Sequence, residues 1–338
     1  MKFNINLDFL SRFRSTLMGF AIVWIFFYHT GIDIPVLREI FALGWIGVDI
    51  FFFISGFGLC ASLSKNPSVK DFFKRRFFRI IPTWWLILTI GAVYGSIMEL
   101  QGFPDSPQDF FYWYTGLGWW TGNCSFEWYI PTLLIFYLLA PFINKCKVKT
   151  LWLLMGICMV GAVLLCYYHI FYHVYMSYSR VPDFIFGFIC YKMYKSGKPF
   201  KAKVWLPMTI LGILIIGIGT TIKIKYSDLV LGLTIFRVAL PLIMLPLTWG
   251  VSCLLNLFRP IRLISDWIGL ISLEIYLLHI NHEFAVSVQS PITDNVHEYL
   301  QKMTWFAVIV AAAYIIHITA NSAIFSPKKS KFLSQKTH

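Results

Sequence analysis

Ten apolar runs separated by short polar segments set the pattern of this chain. They lie near 15–33, 41–61, 80–98, 126–143, 150–167, 180–194, 204–222, 229–255, 263–281 and 303–323. A helix rising 1.5 Å per residue needs about 20 residues to cross about 30 Å of hydrocarbon. Most of the runs are that long; the sixth is shorter and flanked by interfacial aromatics. Lipid cannot satisfy exposed backbone groups, so helices are the physical choice. The pattern predicts an all-α polytopic membrane bundle of about ten transmembrane helices. With no internal repeat, no low-complexity tract and no polar block longer than 99–125, residues 1–338 read as a single transmembrane domain.

Composition narrows the class further. Hydrophobic residues make up 58% and charged residues 13%, where a soluble domain carries about 25% charged. A net charge of +13 would suit nucleic acid only as a basic face on a soluble domain. Here the basic residues punctuate apolar runs, so they read as topology signals and no nucleic-acid partner is expected. Placing the N-terminus in the cytosol puts 23 of the 29 Lys and Arg on the cytosolic side, the asymmetry of the positive-inside rule. Both termini are predicted to be cytosolic. The seven cysteines are scattered without ligand-like spacing and read as small apolar residues.

Ionisable residues inside the runs are the candidates for chemistry, because burying them at lipid depth is costly. His29 lies deep in the first run, fifteen residues or about 22 Å along a helix from Arg14. It reads as a general base, its imidazole kept neutral by desolvation, or as a packed interfacial histidine making one hydrogen bond. Asp49, two residues after Gly47, either orients that imidazole as the third member of a triad does, or sits at the outer interface. Arg75, Arg76 and Arg79 are spaced so that a helix brings their guanidiniums toward one surface, suited to phosphates or to anionic lipid. Ser272, Tyr276, His279 and Glu283 are spaced 4, 3 and 4, a polar stripe within about 40° of one line. That stripe lines a path or bonds helix to helix. Arg180, beside Pro182 at an outer mouth, is a substrate contact or an interfacial anchor. The pairs His169/His173 and His279/His282 lack a clear third ligand, and no metal is expected.

Several separated motifs stand in one order along the chain: Phe27-Tyr28-His29; Gly47-Val48-Asp49-Ile50-Phe51 running on to Ser55-Gly56-Phe57; Arg75-Arg76-Phe77-Phe78-Arg79 before Pro82; Trp128-Tyr129 with Phe136-Tyr137; Ser179-Arg180-Val181-Pro182-Asp183-Phe184; and Ser272-Leu273-Glu274-Ile275-Tyr276-Leu277-Leu278-His279. In this arrangement the chain resembles the acyltransferase-3 membrane proteins, which O-acylate bacterial surface carbohydrates. The resemblance implies an O-acetyltransferase of the bacterial cytoplasmic membrane that takes an acetyl or other short acyl group from acetyl-CoA (acyl-CoA) to a hydroxyl of an extracytosolic carbohydrate or glycolipid. It implies His29 and Asp49 as catalytic residues and Arg14, Arg75, Arg76 and Arg79 as donor-binding residues. Ser55, Glu127, Trp128, Tyr137, Arg180, Ser272, Tyr276 and His279 are then expected along the acyl path or against substrate.

Two departures from the family pattern stand out. Met18 occupies the position eleven before the histidine where Arg or Lys is frequent, which leaves Arg14 one turn lower and assigned to donor phosphates. Leu133, Leu134 and Ile135 stand where some members carry a glutamate, so Glu127 is the only nearby carboxylate. A fused extracytosolic hydrolase-like domain, frequent in relatives, is not expected in these 338 residues. The rival reading from another class is a polysaccharide or glycolipid exporter, although no duplicated half of the kind many transporters carry is visible.

Overall fold

The computed structural model describes residues 4–30, 37–97, 104–123, 128–286 and 295–333, with backbone only for 281–286, 295–299 and 320–333. The helices, in chain order, are α1 (Asp8–Arg12), α2 (Arg14–Thr30), α3 (Arg38–Ala42), α4 (Ile46–Lys65), α5 (Val69–Ile97), α6 (Pro107–Thr115), α7 (Leu117–Thr121), α8 (Tyr129–Lys145), α9 (Val148–Tyr167), α10 (Tyr175–Tyr178), α11 (Val181–Lys195), α12 (Ala202–Lys225), α13 (Leu229–Leu257), α14 (Arg259–Leu270), α15 (Ser272–Val286) and α16 (Asn295–Leu333). Among the described residues extended pairing is confined to one bridge between Ile5 and Phe200, which ties the N-terminal segment to the α11–α12 connection.

Each apolar run becomes a helix except the ninth, which becomes two. Among the described residues six helices are long and apolar enough to cross a membrane, and seven if α14 and the start of α15 count as one span, bent by 71°. Helices α2, α8 and α11 have 17, 17 and 15 residues, near the lower limit for a span. The third run is the membrane part of a longer helix. At 29 residues α5 reaches about 43 Å, so its arginine-bearing first turns extend past the apolar stretch.

Burial identifies the centre of the bundle. In α4, 78% of the apolar window is buried, against 11% in α12; a segment apolar on all faces and buried on all faces is a core helix, whereas α12 turns its side chains outward. Small residues let the central helices approach closely. A Cβ on Gly56 would strike the Phe184 carbonyl and one on Gly187 the Phe53 carbonyl, so α4 and α11 cross backbone to backbone. Gly19 and Gly269 do the same for α2 and α14 against the carbonyls of Ser265 and Ser15. The Thr16 hydroxyl donates to the Asp266 carboxylate across the same crossing.

The break at Ile271 corrects the ninth run. Ser272 Oγ donates to the Gly269 carbonyl at 3.0 Å, which holds the corner. The α14 half packs on α2 while exposing Ile261, Ile264 and Trp267, and α15 turns into the bundle carrying Ser272, Tyr276 and His279, all buried.

Candidate active site

One cleft runs into the bundle, holding about 560 Å³ of atom-free space, part of it open to solvent. Arg14, Arg76 and Arg79 gather at one end of its lining, and Ser55, Tyr137 and, from α15, Ser272 and Tyr276 line it as well. The helical spacing on α5 turns Arg76 and Arg79 to the cleft, while Arg75, about 100° round from Arg76, is exposed and does not line it. Arg14 packs over Gly58, which has no side chain to exclude the guanidinium. Arg76 stacks between Phe72 and Tyr137, at 5.6 and 5.9 Å.

The electrostatics of that end are one-signed. Among the described residues no carboxylate pairs with Arg14, Arg76 or Arg79, and the Nε atoms of Arg14 and Arg76 are buried without a hydrogen-bond partner. Three guanidiniums held together without counter-ions make a site for an anion with several oxygens, and phosphate is the natural class.

Beyond Tyr276 the line of side chains continues. Its ring lies 4.6 Å from that of Tyr129 and 5.4 Å from that of His279. His279 Nε2 is 3.1 Å from His29 Nδ1, and the Nδ1–H of His279 reaches the Ile275 carbonyl at 3.1 Å. His279 is fully buried, with Phe26 against its ring, and His29 is half-buried. The histidine of the first run and the stripe of the ninth, separated by 250 residues, meet in one hydrogen bond.

Asp49 lies elsewhere, and this corrects the expectation that it orients His29. Its Oδ1 is 3.0 Å from Arg180 Nε, with the two side chains 0% and 2% exposed. Arg180, expected at an outer mouth, is instead a buried counter-ion. Its Nη1 donates to the Met176 carbonyl at 2.9 Å, and its guanidinium lies 4.6 Å over the ring of Trp128. Two further buried charges complete the group. Asp183 is fully buried, and Arg237 is held 5.1 Å from each of the rings of Trp45 and Tyr175. Two carboxylates and two guanidiniums balance in formal charge, which is how a bundle tolerates them at depth.

Arg237 falls among the six basic residues that the topology leaves off the cytosolic side, and Asp183 stands in the sequence only as part of a motif. Both lie within apolar runs, so the cost rule that singled out His29 would have found them. It would also have found Glu274, whose carboxylate meets His317 Nδ1 at 2.9 Å between α15 and α16. Glu127 falls outside the described residues, and the side chains of His282 and Glu283 do too.

A family model described as an acyltransferase domain matches residues 17–321, from the first turn of α2 into α16. The chain belongs to the acyltransferase-3 family. It is also 26% identical over 293 residues, 80% of this chain and 83% of the relative, to a protein of Acidianus two-tailed virus named "Putative acetyltransferase ORF330". No solved structure matches. The chain is accordingly an acyltransferase with several apolar helices of membrane-crossing length, and this favours acyl transfer over export. The match covers Arg76 and Arg79, which line the cleft, and the His29–His279 pair that adjoins it through Tyr276.

Proposed function

We propose that this acyltransferase moves an acetyl or similarly short acyl group from acyl-CoA, bound at the arginine end of the cleft, to a hydroxyl of a carbohydrate or glycolipid that reaches His29 from the other side of the membrane. The observation that carries this reading is continuity: three guanidiniums with no carboxylate partner among the described residues share a cleft with Ser272 and Tyr276, and Tyr276 adjoins His279, which bonds His29. The arginines would hold the phosphates of the donor while its thioester end enters toward Tyr276. The thioester is already activated, so the protein has to align it, take a proton from the acceptor and exclude water.

In the transfer step the acceptor O–H gives its proton to the His29 imidazole as its oxygen bonds to the thioester carbonyl carbon. The C–S bond then breaks, the electron pair leaves on sulfur, and the coenzyme thiolate recovers the proton from His29. The positive-inside distribution supports a cytosolic arginine end and an extracytosolic His29 end in the cytoplasmic membrane. Arg14 and Arg76 sharing one mouth agrees with that distribution, since both were assigned to the cytosolic side.

The test is release of coenzyme thiol, and transfer of label into membrane glycans, when vesicles carrying the protein receive labelled acetyl-CoA. Wild type is expected to do both, and His29→Ala to do neither while remaining at the same level in the membrane. Wild-type activity in His29→Ala would end this assignment of the base.

A further inference from the structure

We propose that His279 is a positioning residue that fixes the tautomer of His29, so that Nε2 of His29 is the atom that takes the acceptor proton. The inference rests on the acyl-transfer reading and deepens it. It follows from one carbonyl. The Ile275 oxygen can only accept, so the contact at 3.1 Å places a hydrogen on His279 Nδ1. A fully buried ring at lipid depth is held neutral by the cost of burying a charge there and then carries one N–H, which leaves His279 Nε2 as an acceptor. That nitrogen is 3.1 Å from His29 Nδ1, and the contact holds only if His29 Nδ1 carries the hydrogen. The lone pair of His29 is then on Nε2, the nitrogen that does not face His279.

The packing makes the assignment rigid at one end and open at the other. His279 is fully buried, bonded to its own helix one turn back, and edged by Phe26 and Tyr276. His29 is half-buried, its ring tilted 35° from that of His279 with centroids 5.1 Å apart. The fixed ring therefore orients the one that can meet substrate.

The arrangement does the work of the carboxylate in a nucleophile–imidazole–carboxylate triad with a neutral group. When Nε2 of His29 takes the acceptor proton, the Nδ1–H to His279 Nε2 becomes a charge-assisted hydrogen bond, which is stronger than the neutral one. A neutral partner stabilises the imidazolium less than a carboxylate does, but it spares the bundle an additional buried charge at lipid depth. It also accounts for the freedom of Asp49 to serve Arg180 instead.

The experiment compares His279→Ala, His279→Gln and His29→Ala in vesicles supplied with labelled acetyl-CoA, reading kcat and KM from thiol release. Glutamine places an oxygen acceptor near the position of Nε2 and keeps the bond from His29 Nδ1–H. The expected result is a loss of about 100-fold in kcat for alanine, an unchanged KM for acetyl-CoA because the arginine mouth is untouched, and recovery of most turnover with glutamine. Full kcat in His279→Ala beside an inactive His29→Ala would overturn the positioning role and leave the acyl-transfer reading standing; full kcat in both would remove the base itself. If the alanine variant is not recovered from the membrane, His279→Gln is set against His279→Met, which fills the ring's space without a comparable acceptor. Turnover retained by glutamine alone supports the relay, and equal turnover in the two overturns it.

Discussion

Replacing Asp49 by asparagine removes one charge from a group of four and leaves nearly the same shape behind. At 3.0 Å from Arg180 Nε, the lost attraction is about 5.5 kcal/mol gross at an effective dielectric of about 20. Breaking a buried pair on one side costs about 3–5 kcal/mol, because the remaining charge has no water to replace its partner. Arg180 keeps its bond to Met176 and its place over Trp128, which puts the expected loss near the lower figure, about 3 kcal/mol. The assay is thermal or denaturant unfolding of the purified protein in mild detergent, alongside turnover per folded molecule. Asp49→Asn should unfold more easily and, where folded, turn over close to the wild-type rate. The pair Asp49→Leu with Arg180→Met, which removes both charges together, should recover much of the lost stability. The reasoning is refuted if Asp49→Asn is as stable as wild type but its folded fraction has lost turnover, since the carboxylate would then be serving the imidazole.

Charge reversal separates the three arginines of α5. Arg76→Glu and Arg79→Glu should each raise KM for acetyl-CoA by tenfold or more, whereas Arg75→Glu, off the cleft, should leave KM near wild type; equal effects at all three positions would mean a diffuse field rather than a built mouth. Gly187→Leu should prevent accumulation of folded protein, because its side chain would occupy the Phe53 backbone, and normal levels on a membrane immunoblot would contradict the close crossing of α4 and α11. Glu274→Ala should loosen α16 from α15 by removing the contact with His317, which is partly exposed and therefore worth only about 1 kcal/mol. Protease sensitivity of α16 checks this, and an unchanged digestion pattern speaks against the tether.

The fold was legible where a single property decides it. Length and apolarity place a helix at every run, and the cost of a buried ionisable group marks His29 before any neighbour is known. Partners are another matter. Asp49 is the companion that the sequence offers for His29, while His279 reads only as part of a polar stripe, and no spacing rule pairs residues 250 positions apart. The choice is made by the corner at Ile271, which a hydropathy average cannot register because it sums the apolar residues of α14 and α15 without regard to direction. Had the ninth run been straight, its stripe would have continued the line of α14, which packs on α2 through Gly19 and Gly269. The 71° turn instead swings Ser272 and Tyr276 into the cleft and His279 against His29. Asp49 was drawn the other way by charges that topology reading had set aside. The sequence puts Arg180 beside Pro182 at an outer mouth, and Arg237 lies within the eighth run. A charge within a run needs a counter-ion inside the same bundle, so the unmatched arginines of the eighth and sixth segments already implied a buried acid. Asp49 and Asp183 are the acids that meet these arginines in the bundle, and the group beside the imidazole is His279 on α15.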